Sequence, residues 1–261
     1  MSWLITGSQK IDPDAAVYLS RVEDADGQAL EAGVRTAVDQ FVLGCKADGI
    51  WSAIKASCIL SGARTLAGAL VPLAGTAPTN VGPFVSGDYN RKTGLVGNGS
   101  SKYLNSNRNN NADPQDNMHV SLYSSLAPTT GSFPQYFGVG DVAPGTTLCL
   151  ENLSGGTILF RNRTSATGTI TPGSPIGFIG TARSSSAQYT ARVRSATSLF
   201  VTASAGNFNA NQVFFAQNTG SSISNFSNAR LAFYSIGESL DLALLDARVT
   251  TLVNALSAAI P

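Results

Sequence analysis

The chain has 261 residues, of which 43% are hydrophobic and only 13% charged, with a net charge of +1 from 17 basic and 16 acidic residues. The apolar fraction supports a sizeable core, and the charge fraction is about half the usual value of about 25%. A near-neutral chain with scattered arginines has no long-range field to draw in nucleic acid or an anionic membrane, which argues against both as partners.

Residues 1–25 read as an extended arm, with turn chemistry at Asp12-Pro13-Asp14 and a short strand at Val17-Tyr18-Leu19. The start lacks the basic and apolar regions of a secretory leader. Asp24-Ala25-Asp26-Gly27 then offers capping side chains to a periodic segment. Leu30, Val34, Ala37, Val38, Phe41 and Val42 mark one helix face, and Gly44 is its expected stop. A second short helix is expected over 48–57, capped by Asp48 and carrying Trp51, Ile54 and Lys55. The segment 26–57 is thus a helical unit expected to pack on the β-rich region after it. The longest apolar stretch, 66–73, is broken by Gly68 and Pro72 and is far short of the roughly 20 residues of a bilayer span.

From 58 to 238 the pattern changes to runs of about 4–7 residues rich in Val, Ile, Thr and aromatics, separated by Gly, Pro, Asn and Ser. Val120-Ser121-Leu122-Tyr123, Thr157-Ile158-Leu159-Phe160 and Val213-Phe214-Phe215 are examples. Tyr189, Ala191 and Val193 alternate with Thr190 and Arg192, which implies a strand with one wet face. Asn98-Gly99 reads as a hairpin turn. Residues 239–261 return to helix, with Ser239 as cap and Leu242, Leu245, Val249, Leu252, Val253 and Leu256 in one stripe. The expected fold is mainly β, an antiparallel sandwich flanked by N-terminal helices and one C-terminal helix.

Chemistry-bearing residues are sparse. His119 is the sole histidine, expected at a strand start with its ring partly exposed, and no nucleophile motif accompanies it. Cys45, Cys58 and Cys149 sit in apolar company and read as small buried hydrophobes, although a Cys45–Cys58 bridge is conceivable. The loop 109–117 supplies Asn109, Asn110, Asn111, Asp113 and Asp116. These are oxygen donors of the kind calcium takes, with Asp113 and Asp116 as its carboxylates, against the plainer reading of a solvated polar loop. Asp88 and Asp141 are the carboxylates to test for a polysaccharide-cleaving enzyme, but no alternating acidic strand surrounds them. What remains is a surface of amides, hydroxyls and tyrosines. Tyr89, Tyr103 and Tyr123, with Asn109, Asn110 and Asn111, form the candidate ligand-binding set, suited to sugar faces or to protein docking.

The runs Ala25-Asp26-Gly27-Gln28, Gly44-Cys45-Lys46-Ala47-Asp48-Gly49-Ile50-Trp51, Asp88-Tyr89-Asn90-Arg91 and Gly97-Asn98-Gly99-Ser100 resemble a module of tailed, especially marine, bacteriophages. The ending Phe233-Tyr234-Ser235-Ile236-Gly237-Glu238, leading into an apolar helix, resembles the close of laminin-G/concanavalin-like domains in phage structural proteins. The resemblance covers residues 22–256. It implies a concanavalin-like jelly roll in a virion structural protein, a homotrimer among other virion proteins, assembled in the host cytoplasm and without catalytic residues. It allows two placements: a tail-fibre adhesin binding host surface carbohydrate, which the lectin-like sandwich favours, or a decoration protein cementing the capsid.

Overall fold

A computed structural model describes residues 10–261. Two helices open the chain, α1 (Pro13–Asp26) and α2 (Ala32–Ala47), followed by a single 3-10 turn at Trp51–Ala53. The arm expected over 1–25 is therefore largely helical, and its first nine residues lie outside the described part. Val17-Tyr18-Leu19 is helical because local signals override its β-propensity. Asp12 caps the backbone N–H of Asp14 at 2.9 Å and Pro13 takes the first helical position, where its missing N–H costs nothing. Gly27 closes α1 with φ +68°, a conformation that suits glycine at a helix end. Gly44 does not stop α2. It lies inside the helix, and a Cβ there would meet the Arg248 side chain at 2.8 Å.

The strands come next, in chain order: β1 (Ile54–Ile59), β2 (Pro72–Ala74), β3 (Thr79–Val81), β4 (Tyr89–Asn90), β5 (Gly94–Val96) and β6 (Tyr103–Asn109). After them stand β7 (Met118–Leu126), β8 (Gln135–Val139), β9 (Thr147–Asn152), β10 (Thr157–Asn162), β11 (Gly168–Ile170) and β12 (Gly177–Arg183). The last are β13 (Gln188–Val193), β14 (Ala196–Val201), β15 (Asn211–Phe214), β16 (Gln217–Asn218), β17 (Ile223–Ser224) and β18 (Arg230–Gly237), before the C-terminal helix Leu242–Ala259. One helical turn, α3 (Leu66–Ala69), precedes β2, so the C-terminal helix is α4. Asp241, not Ser239, caps α4, accepting from the N–H groups of Ala243 and Leu244.

The helix expected over 48–57 is replaced by the turn and by β1. That strand is buried on both faces, between helices and core, so its sequence lacks the two-residue alternation that would have marked it. Asp48, expected to start a helix, instead ends α2.

Two sheets form a jelly-roll sandwich. Sheet A runs β14-β13-β12-β7-β18-β1-β2, with β4 and β5 attached at β18. Sheet B runs β11-β10-β9-β8-β15-β6-β3, with β16 and β17 beside β8. Pairing is antiparallel apart from one parallel bridge, Asn218 to Val139. The Asn98-Gly99 turn is not a hairpin. It carries the chain from β5 in sheet A to β6 in sheet B, with Asn98 Oδ1 accepting from the N–H groups of Ser100, Ser101 and Lys102.

Two apolar layers result. Between the sheets lie Met118, Val120, Leu122, Phe137, Cys149, Phe160, Phe214 and Tyr234, joined by Tyr189, Ala191 and Val193 as their alternation requires. The opposite face of sheet A, with Phe178 and Phe233, packs against Val22, Phe41, Leu245 and Leu252 of the helices. By length and composition α4 is apolar enough to cross a bilayer, yet its Leu242–Leu256 stripe is buried in this second layer. Gly33 permits close approach of α2 and α4, since a Cβ there would come within 2.7 Å of Ala259 Cβ. The three cysteines are buried and free, so no Cys45–Cys58 bridge exists.

Candidate functional site

The helices cover the outer face of sheet A, whereas the outer face of sheet B is half-exposed at Leu150, Leu159 and Arg161 and buried at Leu148. Strand alternation decides what stands there. On β9 and β10 the odd-numbered Cys149 and the even-numbered Ile158 and Phe160 point into the core, so Leu148, Leu150, Leu159 and Arg161 point out. The register sets Leu159 opposite Leu150 and Arg161 opposite Leu148. These four line a shallow cavity of about 190 Å³ completed by Phe133, Gln135, Asp141, Thr167, Gln217 and Asn225.

The polar side chains of this cavity are pre-set by mutual contacts. Asn225 Nδ2 donates to Gln217 Oε1 at 2.6 Å, and Gln217 Nε2 donates to the Gly140 carbonyl at 2.7 Å. Arg161 Nε donates to Thr167 Oγ1 at 2.9 Å, and its Nη1 donates to the Asp141 carbonyl. Phe133 stands at the rim, 49% exposed. An exposed ring beside aliphatic walls, fixed amides, one cation and one carboxylate can stack on an apolar ring face and pair with hydroxyls around it.

The sequence-derived candidates do not converge on this place. Tyr89 is bound through its hydroxyl to the Ala63 carbonyl at 2.7 Å and packs between the two apolar layers. Burial pushes its phenol upward. Tyr103 packs on Phe226, with ring centroids 6.3 Å apart. Tyr123 lies on the helix side of sheet A. Asn109 and Asn111 both donate their amides to Asn209 Oδ1, at 2.9 and 3.2 Å, and form a polar rim. Asn110 is buried, its amide given to the Gly145 carbonyl.

The calcium reading fails at Asp113, whose two carboxylate oxygens are taken by Arg108 Nε at 3.0 Å and Nη2 at 2.5 Å. Wholly buried Arg163 donates to the Asp113 carbonyl, so a cation would enter a site already held by guanidinium groups. Asp116 keeps a buried oxygen without a partner. Among the described residues no three His, Cys, Asp or Glu side chains group as a metal site would need. His119 is also placed differently from expectation: it is fully buried. Asp88 is tied to Lys102 and to the N–H of Val85, whereas Asp141 lines the sheet B cavity, so the two are not a pair.

No family model matches the chain, and no curated protein matches it. Among solved structures it is similar to the binding domain of botulinum neurotoxin serotype D, at 11% identity over 76% of this chain and 51% of that one, with a TM-score of 0.49. It is also similar to the CBM40 of the Ruminococcus gnavus IT-sialidase, at 10% identity over 51% of this chain and 82% of that one, with a TM-score of 0.40. A third likeness is to the NanB sialidase of Streptococcus pneumoniae, at 11% identity over 57% of this chain and 27% of that one, with a TM-score of 0.40. The likeness is partial in each case.

Sequence reasoning missed the sheet B face because Leu148, Leu150 and Leu159 look like core residues in a string. The available signal was the alternation itself: with Cys149 and Phe160 assigned inward, their neighbours must face out.

Proposed function

We propose that the chain is a non-enzymatic glycan-binding module of a tailed-phage virion, seated on the particle through its helical side and presenting the outer face of sheet B to host surface carbohydrate. The observation that carries this reading is the asymmetry of the sandwich: one sheet is roofed by helices, while the other leaves a pre-set cavity with an exposed aromatic ring. The homotrimer implied by the phage resemblance belongs to the same reading.

A head-decoration role is the second reading, favoured by a different feature. Between α2 and α4 runs an apolar groove of about 670 Å³ whose walls include Ala37, Phe41, Leu252, Ala255 and Ala259. Such a groove suits a neighbouring subunit more than a sugar.

Purified full-length protein should bind host-cell polysaccharide, lose that binding on Phe133→Ala, and release no reducing ends. Detection in purified virions, on tails, supports the leading reading. Binding to isolated heads with a rise in their Tm moves the assignment to decoration. Absence from virions, or turnover of the polysaccharide, overturns both.

A further inference from the structure

On the helix side of sheet A, away from the sheet B face, a cavity of about 430 Å³ is lined by Tyr123, Ile176, Gly177, Phe178, Arg194, Ser195, Asp246 and Thr250. That volume lies in the range of small-molecule clefts, about 300–1,000 Å³. We propose that this cavity binds a sugar unit bearing a carboxylate, with the Arg194 guanidinium as its anion-recognising group and the Tyr123 ring and the Ser195 and Thr250 hydroxyls as its sugar contacts.

Three observations carry the proposal. The first is charge. The cavity region holds Arg192 and Arg194 but one carboxylate, Asp246. Arg192 Nε takes Asp246 Oδ2 at 2.8 Å, and Thr250 Oγ1 donates to Oδ1 at 3.0 Å. Arg194 therefore stands without a hydrogen-bonded or ion-paired side-chain partner among the described residues. A planar guanidinium with free donors is the side chain best suited to a carboxylate.

The second is backbone conformation. Val193 pairs with Ala196, so Arg194 and Ser195 form a two-residue hairpin loop between β13 and β14. Arg194 sits there at φ +54°, a region that favours Gly or Asn. Its N–H is anchored to the Phe178 carbonyl at 2.7 Å. A long cationic side chain kept at a position that glycine would fill more easily is strain held at a specific place.

The third is the floor beneath it. Gly177 has φ +126°, and a Cβ there would lie 3.0 Å from Arg194 Cγ. The missing side chain lets the arginine stem lie against β12, where Arg194 lines the cavity.

The site lies at the β13–β14 edge of sheet A and shares no residue with the α2–α4 groove, so a module seated through that groove leaves it open. It is independent of the sheet B reading and is tested apart from it. Full-length protein is titrated, by NMR of the backbone and arginine side-chain N–H signals, with glucuronate and galacturonate and with glucose and galactose as uncharged controls. The acids should shift the Gly177, Arg194 and Ser195 signals and bind at least tenfold more tightly than the neutral sugars. Arg194→Gly should abolish that preference while raising Tm, because glycine accepts the φ of the turn. Arg194→Lys should retain part of it. Phe133→Ala should leave it unchanged. Equal binding of acid and neutral sugars, no binding of either acid, or a fall in Tm with Arg194→Gly would each overturn the proposal, the last by making the arginine a structural element.

Discussion

His119 donates its Nδ1–H to the main-chain carbonyl of Glu238 at 2.6 Å, while its Nε2 accepts from the Ser235 hydroxyl, also at 2.6 Å. The ring thereby ties β7 to the end of β18, just where the chain leaves sheet A for α4. Both bonds use the neutral imidazole, in the Nδ1–H tautomer that a carbonyl partner requires.

That arrangement makes stability depend on pH. Burial lowers the His119 pKa from 6.5 to about 4, partly opposed by its bond to Glu238. Between those values the unfolded chain takes up a proton that the folded chain refuses, so this group's contribution is intact above pH 6.5 and is lost as pH falls toward 4. Over the whole window the loss is about 3 kcal/mol. Urea unfolding at pH 7.5 and at pH 4.5 should show it, and His119→Gln should flatten the dependence while lowering stability at pH 7.5.

Arg183 is wholly buried, and its guanidinium is spent on the main chain. Nε donates to the Asn162 carbonyl at 2.9 Å, Nη1 to Ser185 at 3.0 Å and Gln188 at 3.2 Å, and Nη2 to Thr202 at 3.1 Å. The charge also lies 5.4 Å from the Tyr189 ring centroid. One side chain thus satisfies carbonyls at the end of β10, across the β12–β13 turn and just after β14. Arg183→Lys cannot span them, and leaving buried acceptors unmet costs about 1–3 kcal/mol each. A loss of at least about 3 kcal/mol in denaturant unfolding is expected, with faster hydrogen exchange confined to those segments. A loss below about 1 kcal/mol, the least that one stranded acceptor costs, would mean that the segments hold themselves.

How much of this was legible depends on whether one face or two was buried. The stripe Val34, Ala37, Val38, Phe41 and Val42 predicted α2, and Leu242 to Leu256 predicted α4, because each helix buries one side. Tyr189, Ala191 and Val193 were assigned correctly for the same reason. At β1 the pattern gave nothing, since Ala56, Ser57, Cys58 and Ile59 are all buried and periodicity cannot separate such a run from a helix. Tyrosine content misled the search for a site, because Tyr136 and Tyr189 are core residues and Tyr89 is anchored by its hydroxyl. The exposed ring at the sheet B cavity is Phe133, in a Gly-Ser-Phe-Pro loop with no periodic signal of its own.

One carboxylate at the end of α1 holds the turn that leads into α3. Asp26 accepts from the N–H of Arg64 at 2.6 Å, the N–H of Thr65 at 2.8 Å and the Thr65 hydroxyl at 2.7 Å. Space for it comes from Gly68, where a Cβ would fall 2.2 Å from Asp26 Oδ1. Asp26→Ala should cost about 2–4 kcal/mol by stranding these donors. Gly68→Ala should also destabilise, by steric conflict. In the double variant the conflict is gone, so its loss should be smaller than the sum of the single losses, by about 1 kcal/mol or more. Additive losses in thermal unfolding would show that the two residues do not meet.

Phe133 tests the open face without disturbing the fold. At 49% exposed it contributes little to the core, so Phe133→Ala should change stability by no more than about 0.5 kcal/mol. Stacking of a sugar face on the ring should contribute about 0.5–1.5 kcal/mol, which is up to roughly tenfold in affinity. Leu150 lies half-buried on the same face, opposite Leu159. Leu150→Arg would place a second cation near Arg161 and narrow the cavity, so it should weaken binding of a neutral glycan at least as much. Titration of host polysaccharide against the three proteins separates the cases: parallel losses place the sugar on the face between β8 and β10, whereas unchanged affinity in both variants removes that face from any role in recognition.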